Sequence, residues 1–247
     1  MAETQFFAMS DGRRIAFRKA AGAGPALVFL PGYMSDMAGG KASALFEWAQ
    51  ANGRACLLLD YSGCGESPGD FADGALSRWR DEVVALVEAQ TDGPVVLVGS
   101  SMGGWLMLLC GLALGARLAG LAGIAAAPDF TDWGFDAAQK ARLAGGETIF
   151  EDNPYGPDPT PTHAAFWADG EARRVLGGAI ALDCPVRLLH GQDDADVPPD
   201  VSLRLAAALR SDDVQITLVK GGDHRLSRTG DISLLLRTVA ALCRDPS

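Results

Sequence analysis

Val95-Val96-Leu97-Val98-Gly99-Ser100-Ser101-Met102-Gly103-Gly104 decides the fold. Its first residues form a short apolar strand, and Met102–Leu114 reads as a helix directly behind it. Between them lies Gly-x-Ser-x-Gly, a strand-to-helix turn so tight that positions 99 and 103 must be small. Such a turn pushes Ser101 Oγ into the open beside a helix N-terminus. Orphan N–H groups and the helix dipole favour developing negative charge there. The five-residue pattern alone occurs by chance, and a turn serine without chemistry is the bland alternative. Ser100 takes the x position of this register, so its side chain points elsewhere.

Working outward, short apolar strands alternate with amphipathic helices. Strands are expected at Gln5–Met9 and Arg13–Arg18, joined by a turn at Ser10-Asp11-Gly12. Further strands are expected at Ala26–Leu30, Ala55–Asp60, Leu121–Ala126, Val186–Leu189 and Val214–Val219. Helical spacing marks Lys41–Asn52, Leu76–Ala89, Val201–Leu209 and Ile232–Leu242. This alternation predicts an α/β architecture, with a mostly parallel sheet covered by helices on both faces. Neither an internal repeat nor a linker is visible, so residues 1–247 read as one domain.

One stretch, residues 129–180, breaks the alternation and shows no clear strand. Long unpatterned insertions are uncommon and often functional. Seven of the chain's 18 aromatics fall there: Phe130, Trp133, Phe135, Phe150, Tyr155, Phe166 and Trp167. The segment reads as a cap with an apolar underside above the strand C-termini, where open sheets bind ligands. The competing reading is a helical excursion whose aromatics only glue it to the sheet. Trp105 is a further candidate neighbour of a bound acyl group, or a residue packing its helix on the sheet.

Composition excludes several classes of function. The chain has 247 residues and a formal charge of −10, so its surface repels nucleic-acid phosphates and anionic lipid. Five cysteines, with no CxxC pair, and three histidines argue against a disulfide framework or a metal centre. No apolar run is long enough for a membrane span. The first residues lack a basic leader, so a reducing cytoplasm is the expected location. No cofactor fingerprint is present: Gly63-Cys64-Gly65-Glu66-Ser67 is not the dinucleotide pattern. Cys64 reads as part of a tight loop, not as a nucleophile.

A serine hydroxyl needs a base and the base needs an acid. His224 stands in a glycine-rich loop after the last strand, a poor place for core filling. His190 reads as a structural neighbour of the site and His163 as a surface residue of the cap. The acid lies in Gln192-Asp193-Asp194-Ala195-Asp196, where residue pattern alone leaves three aspartates open. An oxyanion hole needs two N–H donors. Met102 supplies one, and Tyr33, following Gly32 in the loop after the third strand, supplies the other.

These blocks resemble the α/β-hydrolase superfamily over nearly the whole chain. Within it they resemble the branch of α/β-hydrolase domain-containing protein 10, palmitoyl-protein thioesterases also described as acyl-glucuronide esterases. The resemblance rests on Pro31-Gly32-Tyr33-Met34-Ser35-Asp36-Met37, Asp60-Tyr61-Ser62-Gly63, Gly99–Met107, Arg187-Leu188-Leu189-His190-Gly191 and Asp223-His224-Arg225. It implies the α/β-hydrolase fold and a triad in the order Ser, Asp, His. The family pattern His-Gly-x-x-Asp-x-x-Val-Pro falls on His190, Gly191, Asp194, Val197 and Pro198, which selects Asp194 as the acid. Pro31-Gly32 stands where many members have His-Gly. The compact start lacks the targeting segment of mitochondrial members and reads as a bacterial relative.

The resulting expectation is a serine hydrolase of small-molecule carboxylic esters or thioesters, with an acylated protein cysteine as a further substrate. It needs neither metal nor cofactor. Oligomeric state stays open, and a monomer fits. A peptidase of the same fold would use the same residues, and a non-catalytic binding member would tend to lose them. A dehalogenase would need a carboxylate at position 101. Residues 129–171 carry nine acids against two bases, a net −7. An acidic cap of that kind should disfavour strongly anionic leaving groups such as coenzyme A.

Overall fold

The computed structural model describes residues 2–153 and 156–243. Its main sheet has eight strands. In chain order these begin with β1 (Gln5–Ala8), β2 (Arg14–Ala20), β3 (Ala23–Leu30), β4 (Arg54–Leu59), β5 (Val95–Ser100) and β6 (Leu118–Ile124). A small hairpin, β7 (Ile149–Glu151) and β8 (Thr160–Thr162), stands apart, and β9 (Val186–Gly191) and β10 (Val214–Val219) complete the sheet. The spatial order is β1-β2-β4-β3-β5-β6-β9-β10. The pairings β1–β2 and β2–β4 are antiparallel and the others parallel, so β2 alone runs against the rest.

Side chains alternate between two cores, as a period of two demands. Val28, Leu30, Leu57, Leu59 and Leu97 face one side. They meet α2 (Leu76–Gln90), α3 (Met102–Leu114) and α7 (Asp200–Ala208) through Trp79, Leu86, Trp105 and Leu205. Leu27, Phe29, Leu58, Val96 and Val98 face the other side, against Leu45 and Phe46 of α1 (Gly40–Ala51) and Leu235 and Val239 of α8 (Thr229–Leu242). The sheet is therefore buried on both faces, which is why its central strands read as apolar runs.

Between β6 and β9 the chain leaves the sheet to form the cap. It contains α4 (Phe130–Trp133), α5 (Ala137–Ala144), the β7–β8 hairpin and α6 (Ala164–Ala172). The hairpin corrects the expectation of a strand-free insertion. Each strand is only three residues long, too short for a period to register, and β8 carries Pro161, which removes a donor. Tyr155 lies outside the described residues. A smaller correction concerns β6, which begins at Leu118 and ends before Ala125, not at Ala126. Ala125 adopts φ 45°, which turns the chain out of the strand.

Candidate active site

Ser101 sits between β5 and α3 with φ 55° and ψ −121°, a conformation that L residues hold only under constraint. Close packing on both sides enforces it. A Cβ on Gly99 would strike the carbonyl of Gly103, and one on Gly103 would strike that of Leu30. The strain aims Oγ out of the sheet toward the loop after β10. Ser100, by contrast, ends the strand as a buried residue.

His224 reaches Ser101 from that loop. Its Nε2 lies 3.0 Å from Ser101 Oγ, and its Nδ1 lies 2.9 Å from Asp194 Oδ2. An ionised Asp194 only accepts, so Nδ1 carries the proton and Nε2 is left to receive the serine proton. Asp194 Oδ1 accepts the N–H groups of Asp196 and Val197 at 2.9 and 2.8 Å. Burial works to raise the Asp194 pKa. Hydrogen bonds from His190, His224 and Val197 outweigh it, and the carboxyl stays well below the usual carboxylate range. Asp193 and Asp196 are exposed, and of the three it is Asp194 that holds the His224 Nδ1 hydrogen bond.

His190 is wholly buried behind the acid. Its Nε2 lies 2.9 Å from the Val197 carbonyl and 3.2 Å from Asp194 Oδ2, both acceptors. Nε2 therefore carries hydrogen, and Nδ1 accepts from Ser202 Oγ at 2.7 Å. The ring reaches the same carboxylate oxygen, Oδ2, that His224 holds. His163 lies at the start of α6, 3.1 Å from Thr148 Oγ1 and half-buried beside Phe71.

Gly32 brings the loop after β3 against the nucleophile, because a Cβ there would already lie 3.3 Å from Ser101 Cβ. Tyr33, next in the chain, and Met102, the first residue of α3, both line the cleft around Ser101. That cleft measures about 650 Å³. Phe130, Trp133, Phe135, Ala127 and Val197 supply apolar surface. Glu151, Asp152, Asn153, Thr160 and Thr162 of the cap hairpin supply a polar wall that no sequence periodicity announced. Lys41 and Arg225 also line it, from the body of the domain.

Three expected pocket residues are corrected. Trp105 and Phe166 are buried in the main core, and Trp167 packs against Phe135, Leu143 and Ile149. None of the three lines the cleft. The indole nitrogens explain the two tryptophans: Trp105 Nε1 donates to the Arg173 carbonyl and Trp167 Nε1 to that of Thr131. They fasten the cap to the body and the cap to itself.

The cap's acidity is also less open than its composition implies. Asp132 pairs with Lys140 at 2.9 Å and with Arg174 at 2.6 Å, and Arg142 pairs with Glu147 at 2.9 Å. Asp169 accepts from Ser77 of α2, and Glu171 from Thr131. Of the nine acids only Glu151 and Asp152 line the cleft. Asp194, Asp196 and His224 are the one grouping of metal-ligand atoms found among the described residues. Two of the three already face each other within the Ser101–His224–Asp194 chain.

Ser101 on its tight strand-to-helix turn is a nucleophile elbow, and serine, aspartate and histidine follow one another in the α/β-hydrolase order. The sequence profile of the alpha/beta hydrolase family matches residues 27–232. The chain belongs to the α/β-hydrolase family. Among characterised relatives of this α/β-hydrolase is human palmitoyl-protein thioesterase ABHD10, mitochondrial. It is 35% identical over 243 residues, covering 95% of this chain and 78% of the relative. Among solved structures, a protein from Agrobacterium vitis S4 superposes with a TM-score of 0.92 at 38% identity, covering 99% of this chain and all of that one. Mouse α/β-hydrolase domain-containing protein 10 superposes at 0.91 with 34% identity, covering 98% of both chains. This α/β-hydrolase is a serine hydrolase of the ester and thioester class. The expected cytoplasmic location is corrected by the same relatives, because the ABHD10 proteins it matches are mitochondrial by name. No helix among the described residues is long and apolar enough to cross a membrane.

Proposed function

We propose that residues 1–247 form one catalytic domain, with residues 129–180 as its cap, that hydrolyses fatty-acyl thioesters and carboxylic esters through an acyl-enzyme. Palmitoylated protein cysteine belongs among the candidate substrates, as the names of the ABHD10 relatives suggest. The observation that carries the reading is the unbroken chain from Ser101 Oγ to His224, at 3.0 Å, and on to Asp194, at 2.9 Å.

In the first step His224 Nε2 takes the Ser101 proton while Oγ bonds to the acyl carbon. The charge that develops on the carbonyl oxygen falls on the amides of Tyr33 and Met102, with α3 pointing its N-terminus at it. Collapse breaks the bond to the leaving group. An alkoxide takes the proton from His224 as it leaves, whereas a thiolate departs with less need of it and His224 gives the proton up to the thiolate or to solvent before the second step. In the second step His224 removes a proton from water, the hydroxide oxygen bonds to the acyl carbon, and Ser101 Oγ leaves with that proton. Asp194 keeps the imidazole in the required tautomer and stabilises its charged form. The acyl chain lies along Phe130, Trp133 and Phe135. Each buried methylene stabilises binding by up to ~0.8 kcal/mol until the apolar wall is covered.

The test is a panel of p-nitrophenyl esters and matched acyl thioesters on wild type and Ser101→Ala, with fluorophosphonate labelling. The expected result is turnover of both classes, labelling at Ser101, and a loss in kcat of at least ~10³-fold in the variant with its fold intact. Label at Ser100, or an active Ser101→Ala protein, overturns the assignment.

A further inference from the structure

The loop from Pro31 to Met37 is held at its two ends by the body of the domain. Tyr61, just beyond β4, donates its hydroxyl to the Pro31 carbonyl at 3.0 Å. Asp60 accepts the Met37 N–H at 2.7 Å. Both anchors are buried. The middle of the loop is held differently. Ser35 N–H bonds back to the Gly32 carbonyl at 3.1 Å, closing a turn around Tyr33 and Met34. Met34 takes φ 53° in that turn, a conformation normally left to glycine or asparagine. A strained turn persists only when its surroundings over-determine it.

The restraint at the apex comes from the cap. Tyr33 donates its hydroxyl to the Pro161 carbonyl of β8 at 2.9 Å. Its ring lies 5.0 Å from Phe71, 4.9 Å from Phe166 of α6 and 6.0 Å from Phe130 of α4, centroid to centroid. Two of those three rings belong to the cap. Burial raises the phenol pKa, so the hydroxyl keeps its proton and remains a donor. One residue thus directly follows Gly32, which packs against Ser101, and has its side chain inside the cap.

We infer that the Tyr33 side chain is a positioning group that couples the cap to the oxyanion hole, so that an acyl chain seated on Phe130 helps align the Tyr33 amide. Phe130 is the means of coupling, since it lines the cleft on one side and touches the Tyr33 ring on the other. Long acyl chains then raise kcat and not only affinity, because their contact with the cap is converted into oxyanion stabilisation. This inference rests on the acyl-enzyme mechanism above.

The experiment compares wild type, Tyr33→Phe and Phe166→Leu on an acetyl and a long-chain acyl ester of one alcohol. It also measures Kd for a trifluoromethyl ketone that forms a hemiketal with the nucleophile. Phe166 does not line the cleft, so its variant can act on turnover only through the rings it supports. On the acetyl ester both variants should lose several-fold to about tenfold in kcat, the scale of one hydrogen bond, with KM within about twofold. Ketone affinity should fall by the same factor as kcat/KM. The loss should be smaller on the long-chain ester, because the chain itself braces Phe130. Unchanged kcat with a raised KM in Tyr33→Phe, or unchanged ketone affinity in both variants, overturns the inference. If instead Ser101→Ala keeps its activity, the mechanism beneath the inference has failed, and the two failures are thereby distinguished.

Discussion

The carboxylate of Asp129 accepts the backbone N–H of Leu176 at 2.8 Å, joining the chain that enters the cap to the chain that leaves it. Its other oxygen accepts Val175 N–H, also at 2.8 Å. Asp129 is buried and left-handed, with φ 58°, so the neck of the cap is pinned by a strained residue whose side chain is fully used. Phe130 and Trp133 of the cleft wall follow immediately. Asp129→Asn keeps the size of the side chain but sets an amide NH2 against one of the two N–H donors. The expected cost is about 1–3 kcal/mol of stability, from one buried donor left unpaired. Thermal melting checks it, and a variant as stable as wild type refutes the role.

Single substitutions Asp193→Asn, Asp194→Asn and Asp196→Asn separate the three acidic neighbours. Asp194→Asn should lower kcat by ~10²–10⁴-fold, because an amide in that place permits the wrong imidazole tautomer. The other two should stay within a few-fold of wild type. Steady-state kinetics at one pH decides it, and the assignment fails if the largest loss falls on either exposed aspartate.

Glu151 and Asp152 are the cap acids at the cleft, while the others counted on composition are mostly paired or engaged elsewhere. Any discrimination against coenzyme A thioesters therefore rests on these two. At low salt wild type should favour a matched acyl chain on an uncharged thiol, and the preference should fade as salt rises. The double variant Glu151→Gln/Asp152→Asn should remove it. Equal kcat/KM for the two thioesters in wild type at low salt would show that the cap does not govern access.

Lys41 donates to the Arg225 carbonyl at 2.5 Å and so ties α1 to the loop that carries His224. Burial, helped by the Arg225 charge and opposed by Asp223 and Asp231, lowers its pKa to about 8. The unfolded chain holds this proton up to its ordinary value, 10.5. Between those two values the unfolded state binds more protons, so stability gains a contribution that grows with pH. Urea midpoints of wild type and Lys41→Met, compared at pH values spanning that window, should show wild type gaining relative to the variant as pH rises. A constant difference between them contradicts the assignment.

The parts of this protein legible in the sequence are those set by local physics. Gly99 and Gly103 are demanded by close backbone contacts within one turn, so the elbow and its serine can be read from adjacent residues. Strand and helix periods likewise follow from which face of each element is buried, and they place β3, β4, β5, β9 and β10 correctly. The tertiary structure decided what depends on orientation between distant segments. His224 and Asp194 are 30 positions apart, and the carboxyl ends of β9 and β10, side by side, bring them within hydrogen-bond distance. The same holds for the cap. Trp105, Phe166 and Trp167 have the right chemistry for a pocket, yet they turn inward, where Trp105 and Trp167 indoles find backbone carbonyls and the Phe166 ring finds the core. Composition counts charges and rings, but it does not say which of them a neighbouring segment has already neutralised or buried.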